Sequence, residues 1–326
     1  MSIENLIKIL GATLLNTPSI TKIDSIENSL NRVKSKSLFI AKNQADANIA
    51  IELGAYAILC DFDANISDEE IAWLFVDDIE FAIIKIIRFL LIDQKIEALY
   101  STKVEYEILS SIVEDERVVF LDSDIFENYK KVQNLYKSSI IISKDEKLLQ
   151  DIYPDFKRVD NVSQKMGTID IKVVKSSLFL TTLIYENTFY ESLQISKLFI
   201  DELKNSLKAL KYFKINYNLK NIHPKLHFNP IFISDNLNIK NFGDTQRVLI
   251  IEEDKDLFKK ELNFLKTEAR WAKLTTIETE GKNIVDLLQR VGVKNFNIIL
   301  IKANYNEVIK SLKENSQKGT QLLFTE

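Results

Sequence analysis

Acidic side chains that directly follow apolar runs are the first candidates for chemistry in this 326-residue sequence. Asp122 and Asp124 follow the β-branched run at residues 117–121, and an acidic group at residues 252–254 follows the run at 248–251. The carboxyl end of a strand is where α/β proteins place ligand-binding and catalytic groups. Carboxylates at this position also cap the next helix, because they accept hydrogen bonds from its free N–H groups. We favour the cap for both groups, and a metal or catalytic pair is the alternative.

The two histidines and the single cysteine offer little metal or nucleophilic chemistry. His223 and His227 have a spacing that could bind a metal on a helix, but Pro224 between them disfavours a helix. Histidines at these positions give no credible Ser-His-Asp or Cys-His pairing. Cys60 lies in an apolar run and is expected to be a small buried hydrophobe without a disulfide partner. The sequence therefore predicts no catalytic residue, no cofactor-binding residue and no metal ligand.

Glycine is scarce, and this scarcity restricts the function more than any motif that is present. The chain has 7 glycines, with none between Gly54 and Gly167 and no Gly-Lys-Ser/Thr sequence anywhere. The pair Gly281-Lys282 is followed by Asn283 and lacks an upstream glycine. A phosphate-binding loop needs glycines because side chains would block the close approach of backbone N–H groups to the phosphates. We therefore expect no conventional ATP-binding loop and no nucleotide cofactor.

The composition is that of an ordinary globular protein. Apolar residues make up 46% of the chain and charged residues 28%, with a net charge of −4. Lysines and arginines are spread evenly and form no basic patch, so duplex nucleic acid is not an expected partner. The length predicts two or three domains.

Two segments bear on export and membrane insertion. The first ten residues contain Glu4 and Lys8 and no long apolar core, so no signal peptide is expected. The most apolar stretch, residues 81–92, is interrupted by Lys85 and Arg88 and is far shorter than the ~20 residues of a membrane span. We therefore expect a cytoplasmic protein that does not span a membrane.

Apolar runs alternate with amphipathic segments at both ends of the chain, as is typical of α/β domains. Near the N-terminus the predicted helices and strands are helices at 3–10, 45–53, 69–74 and 81–92 and strands at 37–41, 55–60 and 74–76. Near the C-terminus they are strands at 248–251, 274–277, 296–301 and 321–324 and helices at 257–272, 284–291 and 308–312.

The middle of the chain has a different pattern. Its predicted elements are strands at 117–121 and 139–143, helices at 126–135 and 198–213, and a β-meander at 169–195 with a turn at Glu186-Asn187. Residues 216–229 have no clear period and resemble a linker. These changes predict three domains, at residues 1–95, 96–240 and 241–326.

The N-terminal segments carry a resemblance to a known family. Residues 33–41 read Val-Lys-Ser-Lys-Ser-Leu-Phe-Ile-Ala, and Gly54-Ala55-Tyr56-Ala57 leads into the next apolar run. This pattern is similar to the N-terminal domain of the Mur ligases, the amide-forming enzymes of cell-wall precursor synthesis, and is closest to the D-alanyl-D-alanine-adding type. The resemblance implies an α/β fold in a three-domain Mur-ligase-like arrangement: a small α/β N-terminal domain, a reduced central domain with a β-meander, and a small α/β C-terminal domain.

Two further segments resemble the family more loosely. Ser177-Leu178-Phe179 with a hairpin and a following helix is similar to the part of the central domain that precedes its last linker. The strand at 247–251 with its acidic turn, and Gly319 before Leu322, are similar to the opening and closing strands of the third domain.

The departures from the family fall at positions that the resemblance assigns to ligands. The family's Asp-Ser-Arg corresponds to Ser29-Leu30-Asn31, and its turn glycine corresponds to Lys36. Its Asp-Gly-His loop is deleted, which leaves residues 42–46, and its Gly-x-His corresponds to residues 196–198, Ser-Lys-Leu. The ATP-binding loop expected soon after residue 95 is missing. Packing positions are kept and ligand-contacting positions are replaced.

These observations lead to one main hypothesis and two alternatives. The main hypothesis is a non-catalytic, Mur-ligase-like binding or scaffolding protein that is linked to peptidoglycan precursor synthesis. Its partners would be cell-wall precursor enzymes or a UDP-sugar-type ligand. The first alternative is a divergent ATP-dependent UDP-muramyl peptide ligase that holds phosphate at helix N-termini. The second is an unrelated α/β ligand- or protein-binding module, which one continuous sheet across residues 96–326 would favour.

Overall fold

The computed structural model of the chain describes residues 1–92, 94–223, 226–278, 284–291 and 296–322. The chain forms two compact units. The first comprises Met1–Ser101 and Glu116–Arg158, and the second comprises Thr102–Asp115 and Val159–Glu326.

The first unit begins with a five-stranded sheet in the order β1-β5-β4-β3-β2. Its elements are α1 (Ile3–Leu10), β1 (Thr13–Leu14), β2 (Ser25–Glu27), β3 (Ser37–Ile40), α2 (Gln44–Glu52), β4 (Ala57–Cys60), β5 (Ala72–Phe75) and α3 (Ile79–Leu91). Strands β2 to β5 are parallel, and β1 pairs antiparallel with β5. Every residue of β3 and β4 is buried, which explains why both strands are continuous apolar runs.

A second sheet of the first unit is entirely parallel, in the order β7-β8-β6-β9. Its elements are β6 (Glu97–Tyr100), β7 (Val118–Leu121), α5 (Ile125–Gln133), β8 (Ile140–Ser143), α6 (Glu146–Ile152) and β9 (Lys157–Arg158). Helix α3 packs against α1, α5 and α6. Its buried residues Ile83 and Ile87 belong to one apolar core with Leu6, Leu121 and Leu149, so a single core serves both sheets.

The second unit contains a helical layer and an antiparallel meander. Its first elements are α4 (Lys103–Ile112), α7 (Val159–Lys165), β10 (Ile171–Ser176), β11 (Thr181–Tyr185), β12 (Thr188–Leu193) and α8 (Ile200–Phe213). Helix α8 packs against both α4 and α7 through buried residues such as Leu203 and Leu207. The turn between β11 and β12 is at Glu186 and Asn187, which both have positive φ, as a tight hairpin turn requires.

The remainder of the second unit is a four-stranded sheet in the order β13-β14-β16-β15, with β14, β15 and β16 parallel. Its elements are β13 (Ile231–Phe232), β14 (Val248–Ile251), α9 (Lys255–Glu268), β15 (Leu274–Glu278), α10 (Ile284–Val291), β16 (Ile298–Lys302) and α11 (Tyr305–Leu322). The core beneath this sheet is built from buried residues between Ile231 and Leu312.

The structure confirms the prediction of a multi-domain α/β protein and corrects two of the predicted elements. The helix expected at 69–74 is wrong, because residues from Ala72 onward form β5, which lies between β1 and β4. A short apolar run does not distinguish strand from helix. The strand expected at 321–324 is wrong for its first two residues, which end α11; residues 323–326 lie outside the described part. The sequence analysis also missed helix α4.

The described strands after residue 96 belong to three separate sheets and not to one continuous sheet. This arrangement does not favour the unrelated single-sheet module. Among the described residues, no helix is long and apolar enough to cross a membrane.

Candidate functional site

The N-terminus of α4 follows a parallel strand, which is where a phosphate-binding loop would be placed. Strand β6 ends at Tyr100 and α4 begins at Lys103, so only Ser101 and Thr102 separate them. A glycine-rich loop that wraps a triphosphate needs several residues with free backbone N–H groups. A connection of this length, without glycine, cannot provide such a loop.

A capping box closes the N-terminus of α4. The Thr102 hydroxyl accepts a hydrogen bond from the Glu105 N–H at 3.3 Å, and the Glu105 carboxylate accepts one from the Thr102 N–H at 2.9 Å. Glu105 is buried, and burial raises the pKa of its carboxyl group above the ordinary value. Two of the backbone donors that could bind an anion here, the N–H groups of Thr102 and Glu105, are therefore already paired with the protein's own side chains.

Lys103, the first residue of α4, is paired with the acidic residue that caps α9. Its Nζ lies 2.7 Å from a carboxylate oxygen of Asp254. The hydrogen bond from Lys103 lowers the pKa of Asp254 to about 2, and the same bond raises the pKa of Lys103. Asp254 also caps α9 by accepting from the N–H groups of Asp256 and Leu257. The only cation at the start of α4 is thus neutralised within the protein.

The helix after β3 is closed in a similar way. The side chain of Asn43 accepts a hydrogen bond from the Asp46 N–H at 2.9 Å and caps α2. The resemblance assigns this connection to the deleted Asp-Gly-His loop. Lys36, at the position of the family's turn glycine, has a left-handed φ of 68°. This is a conformation that glycine adopts without strain and that disfavours a residue with a Cβ.

Four ionisable side chains, Glu107, His227, Glu252 and Glu261, form a buried group that we call the acid cluster. The His227 Nδ1 lies 2.7 Å from Glu252 Oε2, and the other Glu252 oxygen accepts from the Asp254 N–H at 2.7 Å. Glu107 accepts from the N–H groups of Leu226 and His227, at 2.9 Å and 3.4 Å. The cluster joins α4, the segment before β13 and the end of β14 in one polar network.

Glu261 on α9 is the most deeply buried member of the acid cluster. It is fully buried, and neither of its carboxylate oxygens has a hydrogen-bond partner among the described residues. Burial raises the pKa of its carboxyl group to about 10, and the negative charge of Glu252 adds to this effect. Glu261 is therefore a neutral acid at pH 7 beside the Glu252 side chain.

A neutral acid beside a carboxylate could transfer protons, but the space next to the cluster is small. Glu107 and His227 line a cavity of about 30 Å³ together with Phe179, Phe199 and Phe228. Cavities that hold small-molecule ligands measure roughly 300–1,000 Å³. The cavity is too small for a nucleotide or a sugar, and the acid cluster serves to connect elements of the second unit.

Each of the two acidic groups that were predicted to cap helices contains one residue that caps a helix in the structure, Asp124 or Asp254. Asp124 accepts from two N–H groups at the start of α5, and Asp122 pairs with Lys131 at 3.0 Å. Asp254 caps α9, but its neighbour Glu252 belongs to the buried acid cluster.

The remaining candidate residues are separated from one another. Cys60 is buried in β4 and its thiol donates to the Leu74 carbonyl at 3.6 Å. His223 is exposed, whereas His227 pairs with Glu252. Gly281-Lys282 lies outside the described residues. Within the described ranges, no group of three or more His, Cys, Asp or Glu side chains could hold a metal ion.

The sequence analysis missed the acid cluster. One signal was available, because Glu261 lies between Phe258 and Leu265 on the apolar face of a predicted helix. A glutamate at such a position must be neutral or paired when the helix packs. The partners themselves could not be identified, since Glu107 and His227 are far from Glu261 in the chain.

Comparison with known structures identifies the fold. The chain aligns with a crystal structure of MurF from Acinetobacter baumannii at a TM-score of 0.57 and 10% identity, over 96% of this chain and 98% of that chain. It aligns with MurF ligase from Thermotoga maritima, solved in complex with ADP, at a TM-score of 0.53 and 10% identity, over 90% and 97% of the two chains. No protein-family model and no curated protein matches by sequence. The chain therefore has a Mur-ligase-like fold, which confirms the resemblance at the level of the fold.

Proposed function

We propose that the chain is a non-catalytic protein with a Mur-ligase-like fold that acts by binding or scaffolding, in connection with peptidoglycan precursor synthesis. The observation that carries this proposal is the closed N-terminus of α4. The side chains of Thr102 and Glu105 pair with two of its backbone donors, and Asp254 pairs with Lys103.

The electrostatics at α4 support the absence of triphosphate binding. An incoming phosphate would have to displace the Glu105 carboxylate from the Thr102 N–H and would meet the negative charge of Asp254. Without glycine, the backbone offers no replacement set of donors.

The partners and the domain division belong to the same proposal. We infer that the ligand or partner is a UDP-sugar-type molecule or an enzyme of cell-wall precursor synthesis. The three-domain division at residues 1–95, 96–240 and 241–326 also stays a prediction.

Nucleotide binding by the full-length chain provides the test. We expect no shift in melting temperature and no heat of binding when ATP and Mg²⁺ are added, with a MurF enzyme as the positive control. The same titration with a UDP-muramyl peptide examines the sugar-nucleotide ligand separately. Saturable ATP binding with amino-acid-dependent release of phosphate in the presence of a muramyl acceptor would identify a divergent ligase and overturn the proposal.

A further inference from the structure

A wider apolar pocket in the second unit shares Phe179 with the small cavity beside the acid cluster. It has a volume of about 530 Å³, and its lining includes Leu178, Phe232, Phe242 and Trp271. We call it the aromatic pocket. Its floor includes Val248 and Ile298, the first residues of β14 and β16, so it lies at the amino edge of the sheet. Glu252 follows the opposite, carboxyl end of β14.

The walls of the aromatic pocket are unusually exposed for aromatic side chains. Trp271 is 72% exposed and Phe242 is 55% exposed, whereas Phe232 beneath them is buried. The rings of Phe232 and Phe242 are 4.9 Å apart and tilted by 60°. Concave sites with exposed aromatic rims are typical of places where a partner buries its own apolar side chain.

Basic residues outnumber acidic residues in the chain segments that line the aromatic pocket. None of the side chains that line it is charged. Four exposed cations lie within two residues of a lining residue and make no ion pair among the described residues: Lys175, Lys240, Arg270 and Lys273. The one carboxylate at comparable separation along the chain is Asp244. An apolar centre with a cationic rim is complementary to an apolar group that is flanked by acids.

The exposure of the walls favours a protein chain as the occupant. A small molecule inside the pocket would leave the outer faces of Trp271 and Phe242 in water. A peptide segment that crosses the pocket would cover both side chains while its acidic residues reach the rim.

We propose that the aromatic pocket is the docking site for an acidic segment of a protein partner, which inserts an aromatic side chain between Trp271 and Phe242. This proposal rests on the proposed binding function, for which it names the partner's chemistry. The cations of the rim select acidic sequences, and the uncharged walls take the ring.

Selection of short random peptides displayed on phage against the full-length chain tests the proposal. We expect the selected peptides to share an aromatic residue flanked by Asp or Glu. Their affinity should fall at least about tenfold for Trp271→Ala and for the double variant Arg270→Glu/Lys273→Glu, as for central contacts and charge reversal at an interface. A double variant with the same charge change on α9, Lys259→Glu/Lys266→Glu, should retain wild-type affinity.

Tryptophan fluorescence gives an independent readout in the same samples. The chain has two tryptophans, and Trp73 is fully buried in the first unit. A blue shift on addition of a selected peptide that lacks tryptophan therefore reports burial of Trp271. Both Trp271 and the rim cations are exposed, so the variants should melt at the wild-type temperature.

Three results would overturn the docking proposal. The first is a selection that yields no binding peptide, and the second is a set of peptides without acidic residues. The third is binding that the rim and Trp271 substitutions leave unchanged. Binding of the dye 1-anilinonaphthalene-8-sulfonate at Trp271 without any selected peptide would assign the pocket to a small molecule. No nucleotide is present in these assays, so their failure is separate from the result of the ATP titration.

Discussion

At the scale of single residues, the backbone of Lys36 is strained, because a lysine occupies a turn position that glycine would adopt without strain. Its left-handed φ of 68° disfavours a residue with a Cβ by about 1–2 kcal/mol, because Cβ approaches the following carbonyl oxygen. Its ion pair with Asp24 is long, at 3.9 Å, and both side chains are exposed, so this pair offsets little of the cost.

We predict that Lys36→Gly raises the free energy of unfolding by about 0.5–1 kcal/mol, measured in urea. The gain is smaller than the relieved strain because glycine also adds entropy to the unfolded chain. Lys34→Gly is the matched control, since Lys34 is an exposed lysine in the same turn without positive φ. Equal effects of the two substitutions would contradict the strain argument.

Glu261 leads to a prediction about pH. Its ordinary pKa is 4.5, and in the folded protein the pKa is raised to about 10, so unfolding releases a proton between these values. The stability that the protonated acid contributes is fully present below pH 4.5 and is lost as the pH rises towards 10. Glu252, Glu107 and His227 are the titratable groups that share this cluster.

We predict that Glu261→Gln becomes progressively more stable than the wild type as the pH rises from 6 to 8. The difference should grow by up to about 1.4 kcal/mol per pH unit, because glutamine cannot ionise. Urea unfolding at each pH measures it. The exposed Glu314→Gln is the control and should show a constant difference. A pH-independent difference for Glu261→Gln would mean that Glu261 is ionised in the folded state.

At the scale of elements, the capping box decides what the N-terminus of α4 can do. A helix end with free N–H groups and a positive dipole attracts anions. In α4 two of these donors are paired with the side chains of Thr102 and Glu105, and Lys103 is paired with Asp254. The cap therefore stabilises the helix and also occupies two of the donors that an anion would use.

We predict that Thr102→Ala destabilises the protein by about 1 kcal/mol, within the usual range of 0.5–2 kcal/mol for a lost cap. Thr102→Ser keeps a hydroxyl and should stay within about 0.5 kcal/mol of the wild type. Denaturant unfolding of the three proteins measures both effects. Identical stabilities of the alanine and serine variants would show that the hydroxyl does not cap α4.

At the scale of the whole molecule, the C-terminal sheet has its own core. The buried residues of this core lie between Ile231 and Leu312, and they include Ile231, Ile233 and Leu237 from the segment around β13. A C-terminal domain that began at residue 241 would lack these three side chains in its core. Each buried aliphatic side chain contributes about 1.5–3 kcal/mol, so the loss is roughly 5–9 kcal/mol.

We predict that a fragment of residues 229–326 folds cooperatively, whereas a fragment of residues 241–326 does not. The expected loss is comparable with the whole stability of a small domain, which is about 5–15 kcal/mol. Circular dichroism melts of the two fragments measure this difference. A cooperative melt of the shorter fragment would support the boundary at residues 240 and 241 that the sequence predicts.

The sequence alone determined the alternation of apolar runs and amphipathic helices, since this pattern follows from which faces of strands and helices are buried. It also determined the absence of a glycine-rich phosphate loop. Without glycines, side chains block the approach of the backbone N–H groups to a phosphate, however the chain folds. Tertiary structure decided that residues from Ala72 onward form a strand, since their apolar run fits either element until the neighbouring strands are in place. Tertiary structure also decided which residues form the acid cluster and the aromatic pocket. Glu107, Glu252 and Glu261, like Phe232 and Trp271, meet only through folding, because their separation along the chain leaves no local pattern that predicts which residues come together.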